Sequence, residues 1–122
     1  MEGELKTAVY AKLNAALSVT VYNGAPQNAA LPYVDIDDYS QSDWSSKTSV
    51  GTEAEIRVHV WHEDRDTCAS IMSSIRAALD RVELTISGNS FVDCQYSRSR
   101  SFTDADGVTR HGVVDFQILA TR

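Results

Sequence analysis

A chain of 122 residues is the length of one domain, able to bury roughly two-thirds of its unfolded surface in a single core. Its 43% hydrophobic and 23% charged residues are those of an ordinary soluble globular protein, and no apolar run approaches the ~18 residues a membrane span requires. A formal net charge of −6 argues against a dedicated nucleic-acid binder, which needs clustered Lys and Arg.

The first residues, MEGELKTAVYAKLNAAL, lack the basic-then-apolar order of a signal peptide, so the cytoplasm is the expected compartment. Leu5, Ala8, Val9, Lys12, Leu13, Ala16 and Leu17 recur with helical period, with Lys6 and Asn14 turned outward. This predicts an amphipathic helix of about four turns. Val19, Val21 and Tyr22 can form a short strand before a turn-rich segment containing Asn23-Gly24 and two prolines. Val34 and Ile36 then alternate with Tyr33, Asp35 and Asp37. Further on, Ala54, Ile56, Val58 and Val60 alternate with Glu55, Arg57, His59 and Trp61. Both runs read as half-buried strands of one long hairpin, with the polar stretch around Trp44 at its tip.

A second helix opens at Asp64 or Asp66, either able to accept from the first free backbone N–H groups. Cys68, Ile71, Met72, Ile75, Ala78, Leu79 and Val82 give it a stripe that must lie on the sheet. A last hairpin places Val92, Cys94 and Tyr96 on one face, and Val114, Phe116, Ile118 and Ala120 on one face of its return strand. Asp106-Gly107 lies in the region of its turn. The predicted fold is α+β: an antiparallel sheet of about five strands, in two long hairpins, with two helices packed on one face, and a single domain over residues 1–122.

Sites of chemistry are sparse. His59 and His62 stand three apart on a strand, so their imidazoles diverge and make a poor metal pair. The DADG stretch at 104–107 resembles the start of a calcium loop, but the twelfth position is Asp115, inside a strand. No GxSxG elbow or Gly-rich phosphate loop occurs. His111 is the one histidine in a setting suited to acid–base work, and the sequence supplies it with no partner. Cys68 and Cys94 lack CxxC or metal-ligand neighbours and read as buried, reduced thiols.

What stands out is the outer part of the two hairpins, which carries Trp44, Lys47, Arg98, Arg100, Phe102, Arg110 and His111. Exposed aromatics flanked by arginine have the composition of an interface. The alternative for Trp44 is that its indole folds back on its own sheet.

Three stretches carry a resemblance: VYNGAPQNAALPYVDID, VHVWHEDRDTCASIMSSIRAALD and DGVTRHGVVDFQI, in this order. Together they resemble the tail terminator, or tail-completion, family of long-tailed bacteriophages, prophages and gene transfer agents, along nearly the whole chain. The resemblance implies a structural virion protein that caps the tail tube, ends its polymerisation and forms the joining surface for the head-neck complex. It implies a homo-oligomeric ring, generally a hexamer, around a channel through which DNA passes without specific binding. It also implies no enzymatic activity and no cofactor, and the residues themselves offer no metal site. The partners would be further copies of the chain, the tail tube protein and the neck protein, met in the host cytoplasm during assembly and at the neck end of the mature tail. On this reading Trp44 sits on an arm reaching a neighbour, and Asp35, Asp37, Asp38 and Asp43 are the acidic candidates for the channel wall. Two rival readings are a head-completion or neck adaptor ring, and a small non-enzymatic ligand-binding α+β domain with a concave apolar pocket.

Overall fold

The computed structural model describes residues 2–48, 50–89 and 91–121. Two helices, α1 (Glu2–Ala16) and α2 (Arg65–Leu79), pack against strands β1 (Thr20–Tyr22), β2 (Tyr33–Asp43), β3 (Gly51–His62), β4 (Val82–Glu83), β5 (Phe91–Thr103) and β6 (Arg110–Thr121). The strands form one sheet in the order β1-β2-β3-β6-β5-β4.

The α+β class and both long hairpins follow the alternation of the sequence, but the sheet has six strands and is mixed, not an antiparallel sheet of about five. β1 runs parallel to β2, in register Thr20↔Tyr33 to Tyr22↔Asp35. The turn-rich segment between them brings the chain back to begin β2 beside the start of β1. Asp35 fastens that crossing, its buried carboxylate accepting hydrogen bonds from the backbone N–H groups of Gly24 (2.9 Å) and Ala25 (3.0 Å). The sixth strand, β4, lies where helical period had been counted through Val82. The helix ends earlier, because the C-cap Asp80 donates its N–H to the Arg76 carbonyl at 2.8 Å. The Asp80 carboxylate then accepts from the Tyr96 N–H at 2.9 Å. Arg81, in the left-handed region at φ 60°, turns Val82 onto the edge of β5.

At its start α2 is capped as expected. The Asp64 carboxylate accepts from the Thr67 N–H and hydroxyl, and these bonds hold it below the usual carboxylate range. The core lies between helices and sheet. It unites Leu5, Val9 and Leu13 of α1 with Cys68, Ile75 and Leu79 of α2, over Val34, Ile36, Ile56, Val58, Val60, Val114, Phe116 and Ile118. The stripe of α1 is narrower than its sequence suggested: Lys12 and Ala16 are exposed, and Leu17 follows the helix. At one point α2 approaches β6 so closely that any side chain on the strand would press on the Met72 side chain. A Cβ on Gly112 would lie 2.5 Å from the Met72 sulfur and 3.2 Å from that of Cys68. Both cysteines are free and buried, and burial pushes the Cys94 thiol up to about 12.

Two β-bulges decide what the other face of the sheet displays. In β5 the register skips Ser97, between Tyr96↔Phe116 and Arg98↔Asp115. Even-numbered residues before it (Val92, Cys94, Tyr96) point at the helices. After it, Arg98, Arg100 and Phe102 point the opposite way, since one extra residue inverts the two-residue alternation. In β2 the skipped residue is Asp38, at φ 51°. Tyr39 thereby falls on the helix side, opposite Ile56.

Candidate assembly surface

The face of the sheet away from the helices carries two ordered rows. The first is aromatic and crosses four strands in register: Tyr33 of β2, Trp61 of β3, His111 of β6 and Phe102 of β5. Tyr33 and Trp61 stack with centroids 4.9 Å apart, Trp61 and His111 at 4.5 Å, and Phe102 meets His111 edge-on at 4.9 Å. Tyr22 of β1 extends the row with an edge contact to Tyr33 at 5.7 Å. Cross-strand ring pairs of this kind stabilise a sheet face beyond the area they bury. His59 stacks beside Trp61, and its Nδ1 lies 2.9 Å from His111 Nε2. One nitrogen of that contact must be the donor and the other the acceptor, so the two facing positions hold a single proton. Burial, followed by the neighbouring His59, lowers the His111 pKa. The remaining His59 nitrogen is buried and forms no well-aligned hydrogen bond, with the Asp38 carboxylate 3.5 Å away.

The second row is ionic. Arg57 donates to Asp115 from Nε at 2.8 Å and reaches Asp38 at 3.5 Å, while Arg98 donates to the second Asp115 oxygen at 3.1 Å. Burial alone would raise the Asp115 pKa, but the hydrogen bonds from Arg57 and Arg98 outweigh it and hold the group below its ordinary value. The row floors a shallow depression of about 490 Å³ lined by Asp38, Glu55, Arg57, Arg98 and Asp115. Below it, Gln117 donates to Glu53.

The residues singled out from the sequence divide between two sites. Arg100, Phe102 and His111 come together on the open face at one end of the sheet, with Arg98 farther along the same strand beside Asp115 and Arg110 turned to the helix face. Arg100 lies over the Phe102 ring at 5.3 Å, and Arg110 donates to the hydroxyls of Ser101 and Thr103. Trp44 and Lys47 belong to the β2–β3 tip at the opposite end, since Tyr33 is level with Phe102 whereas Asp43 is level with Val92. Trp44 is 46% exposed. Its N–H donates to the Gly51 carbonyl at 2.9 Å, and its ring lies over Gly51, so part of the indole folds back while the rest faces outward.

Nor do the acidic candidates form one cluster. Asp35 is only 7% exposed and engaged by its loop, and burial raises its pKa despite two backbone hydrogen bonds. Asp37 and Asp38 are exposed beside the open face, whereas Asp43 is exposed near the hairpin tip beyond the bulge. In the β5–β6 turn Asp106 accepts from Thr109 and from the Val108 N–H, with Gly107 at φ 75°, so the DADG stretch serves as a turn. No group of His, Cys, Asp and Glu suited to a metal ion occurs among the described residues. The sequence had not singled out Arg57, His59, Trp61 and Asp115 as surface residues. Their signal was the alternation of β3 and β6, which put all four on the outward side.

Such a molecule is a two-layer α+β domain with helices over one sheet face and an ordered aromatic and ionic surface on the other. The chain belongs to the family described as Tail completion protein gp17, whose model matches residues 7–121. It is 34% identical over 84 residues to the tail completion protein gp17 of Bacillus phage SPP1, a match spanning 68% of this chain and 63% of that protein. The fold is shared with a chain in the virion of a native gene transfer agent particle, at TM-score 0.85 and 21% identity, covering 99% of this chain and 97% of the other. The structure of the SPP1 gp17 protein also superposes, at TM-score 0.62 and 24% identity, over 95% of this chain and 88% of that one. The tail-completion resemblance read from the sequence therefore stands at the level of family.

Proposed function

We propose that this protein completes the tail of a phage-like particle as a ring of identical subunits that caps the tail tube, ends its polymerisation and presents the surface to which the head-neck complex joins. The observation that carries this reading is family membership over residues 7–121, nearly the full chain. A second support is the open sheet face: an ordered row of rings and a row of paired charges have the composition of a protein contact. The partners are further copies of the chain, the tail tube protein and the neck protein, and the assembly joins in the host cytoplasm. DNA passes through the channel without specific contacts, and the exposed carboxylates of Asp37 and Asp38 suit a wall that repels phosphate. The role is structural, without catalysis. Gold labelling of a tagged chain in purified particles tests the placement. Label confined to the head–tail junction agrees with it, and label along the tail or on the head contradicts it.

A further inference from the structure

The sheet has two unpaired edges, placed diagonally. On one side β1 covers β2 only from Tyr33 to Asp35, leaving the outer edge of residues 36–43 without a strand partner among the described residues. On the other side β4 covers β5 only at Asp93 and Cys94, leaving residues 97–103 equally open. Register puts the first free stretch at the Asp43 end of the sheet and the second at the Phe102 end. Open edges are templates for pairing with another chain, and proteins guard them with charge. Here the guards have opposite sign. Residues 36–43 hold Asp37, Asp38 and Asp43 and no cation, while residues 97–103 hold Arg98 and Arg100 and no anion.

We infer that the ring is built by β-augmentation, the acidic β2 edge of one copy pairing with the basic β5 edge of the next. This deepens the proposed ring and rests on that reading. Each edge repels its own kind, because like charges opposite one another destabilise a strand pair. The contact is therefore heterologous, the type that generates rings or filaments. Direction agrees: three antiparallel pairs separate β2 from β5, so β5 runs opposite to β2 and the new pair continues the antiparallel alternation. The bulges at Asp38 and Ser97 leave regular runs at 39–43 and 98–103. The covering strands β1 and β4 fix a stagger, and a constant stagger closes a sheet when its strands tilt from the ring axis. With that stagger, Trp44 of one copy comes to rest near Tyr96 and β4 of the next.

Engineered disulfides test the contact in purified particles. Ser40→Cys, Gln41→Cys and Ser42→Cys are each combined in one chain with Ser99→Cys or Ser101→Cys, and particles are oxidised and run without reductant. Within one subunit the two edges lie across two intervening strands, about 14 Å, beyond the ~7 Å Cα reach of a disulfide. Bonds can then form only between copies, and buried Cys68 and Cys94 do not compete. The expected result is a ladder of multimers ending at the ring size for at least one combination. Monomer alone in every combination, from particles that contain the chain, overturns the edge contact and leaves the ring reading intact. Absence of the chain from particles that wild-type chain enters, with circular dichroism confirming folded variants, is checked by a charge swap. Arg100→Glu is expected to cut incorporation by about tenfold, and adding Asp37→Lys to restore it to within about twofold. Failure of that restoration also overturns the contact. Absence of even the wild-type chain from particles overturns the ring reading itself.

Discussion

His59 Nδ1 and His111 Nε2 face each other at 2.9 Å across the β3–β6 pair, flanked by Trp61 and Phe102, so one proton serves both nitrogens. Burial and His59 set the folded pKa of His111 below its usual value of 6.5. The unfolded His111 imidazole therefore takes up its second ring proton at a higher pH than the folded one, and stability falls as pH drops through the unfolded value near 6.5. The slope for one proton is at most about 1.4 kcal/mol per pH unit. Urea unfolding between pH 7.5 and 5 is expected to show this loss, and His111→Gln to flatten it. An unchanged slope in the variant would exclude the pair as its source.

Arg57 and Arg98 contact the same carboxylate, yet they are not equivalent. The Arg57 side chain is half-buried against Asp115, while Arg98 is largely exposed. Arg57→Ala is expected to cost about 1–3 kcal/mol, as a part-buried charged hydrogen bond does, and Arg98→Ala less than about 1 kcal/mol. The Asp115 contribution has the same pH sign as that of His111 but falls in a lower, acidic window. Its folded pKa is depressed, so its stabilisation is complete above the unfolded carboxylate range and is lost as pH falls through the folded value. Equal losses from the two arginine variants would contradict this account.

Gly112 lies on β6 beneath Met72, with no room for a methyl group unless the Met72 side chain moves. Gly112→Ala is expected to destabilise the protein by about 1 kcal/mol, the low end of overpacking, because half-buried Met72 can swing aside. The pair Gly112→Ala/Met72→Ala should then lose less than the sum of its single variants. Strict additivity in a thermal-unfolding cycle would show that the two residues do not press on each other.

Trp44 leaves nearly half its surface in water on the free chain. In a Trp61→Phe background its fluorescence is expected to shift to shorter wavelength when the chain enters particles. Trp44→Ala should weaken assembly by more than it weakens folding, with up to roughly 2–3 kcal/mol at stake for a fully buried indole. An unshifted spectrum with normal assembly would remove Trp44 from the interface.

Much of this architecture was legible in the sequence, and the gaps have physical causes. Alternation over 54–61 and 114–120 disclosed β3 and β6, because each has one face on the core and one outside. Asp64 disclosed the start of α2 through capping chemistry. One short edge strand was obscured, because Val82 continues the helical period of α2; the short strand at Thr20–Tyr22 was legible, but its parallel pairing was not, since its partner follows a ten-residue connection numbered 23–32. The site was half legible. Composition drew attention to Arg98, Arg100, Phe102 and His111, but what turns the first three outward is the bulge at Ser97, which no local signal announces. His59 escaped notice as the partner of His111 because the contact spans 52 residues of sequence and depends on β3 and β6 being neighbours.

The central claim, that this chain completes the tail, is tested most directly by electron microscopy of particles made without its gene. The account predicts tails of uncontrolled length that do not join filled heads, with both defects reversed when the gene is restored. Particles with tails of normal length attached to filled heads would contradict it.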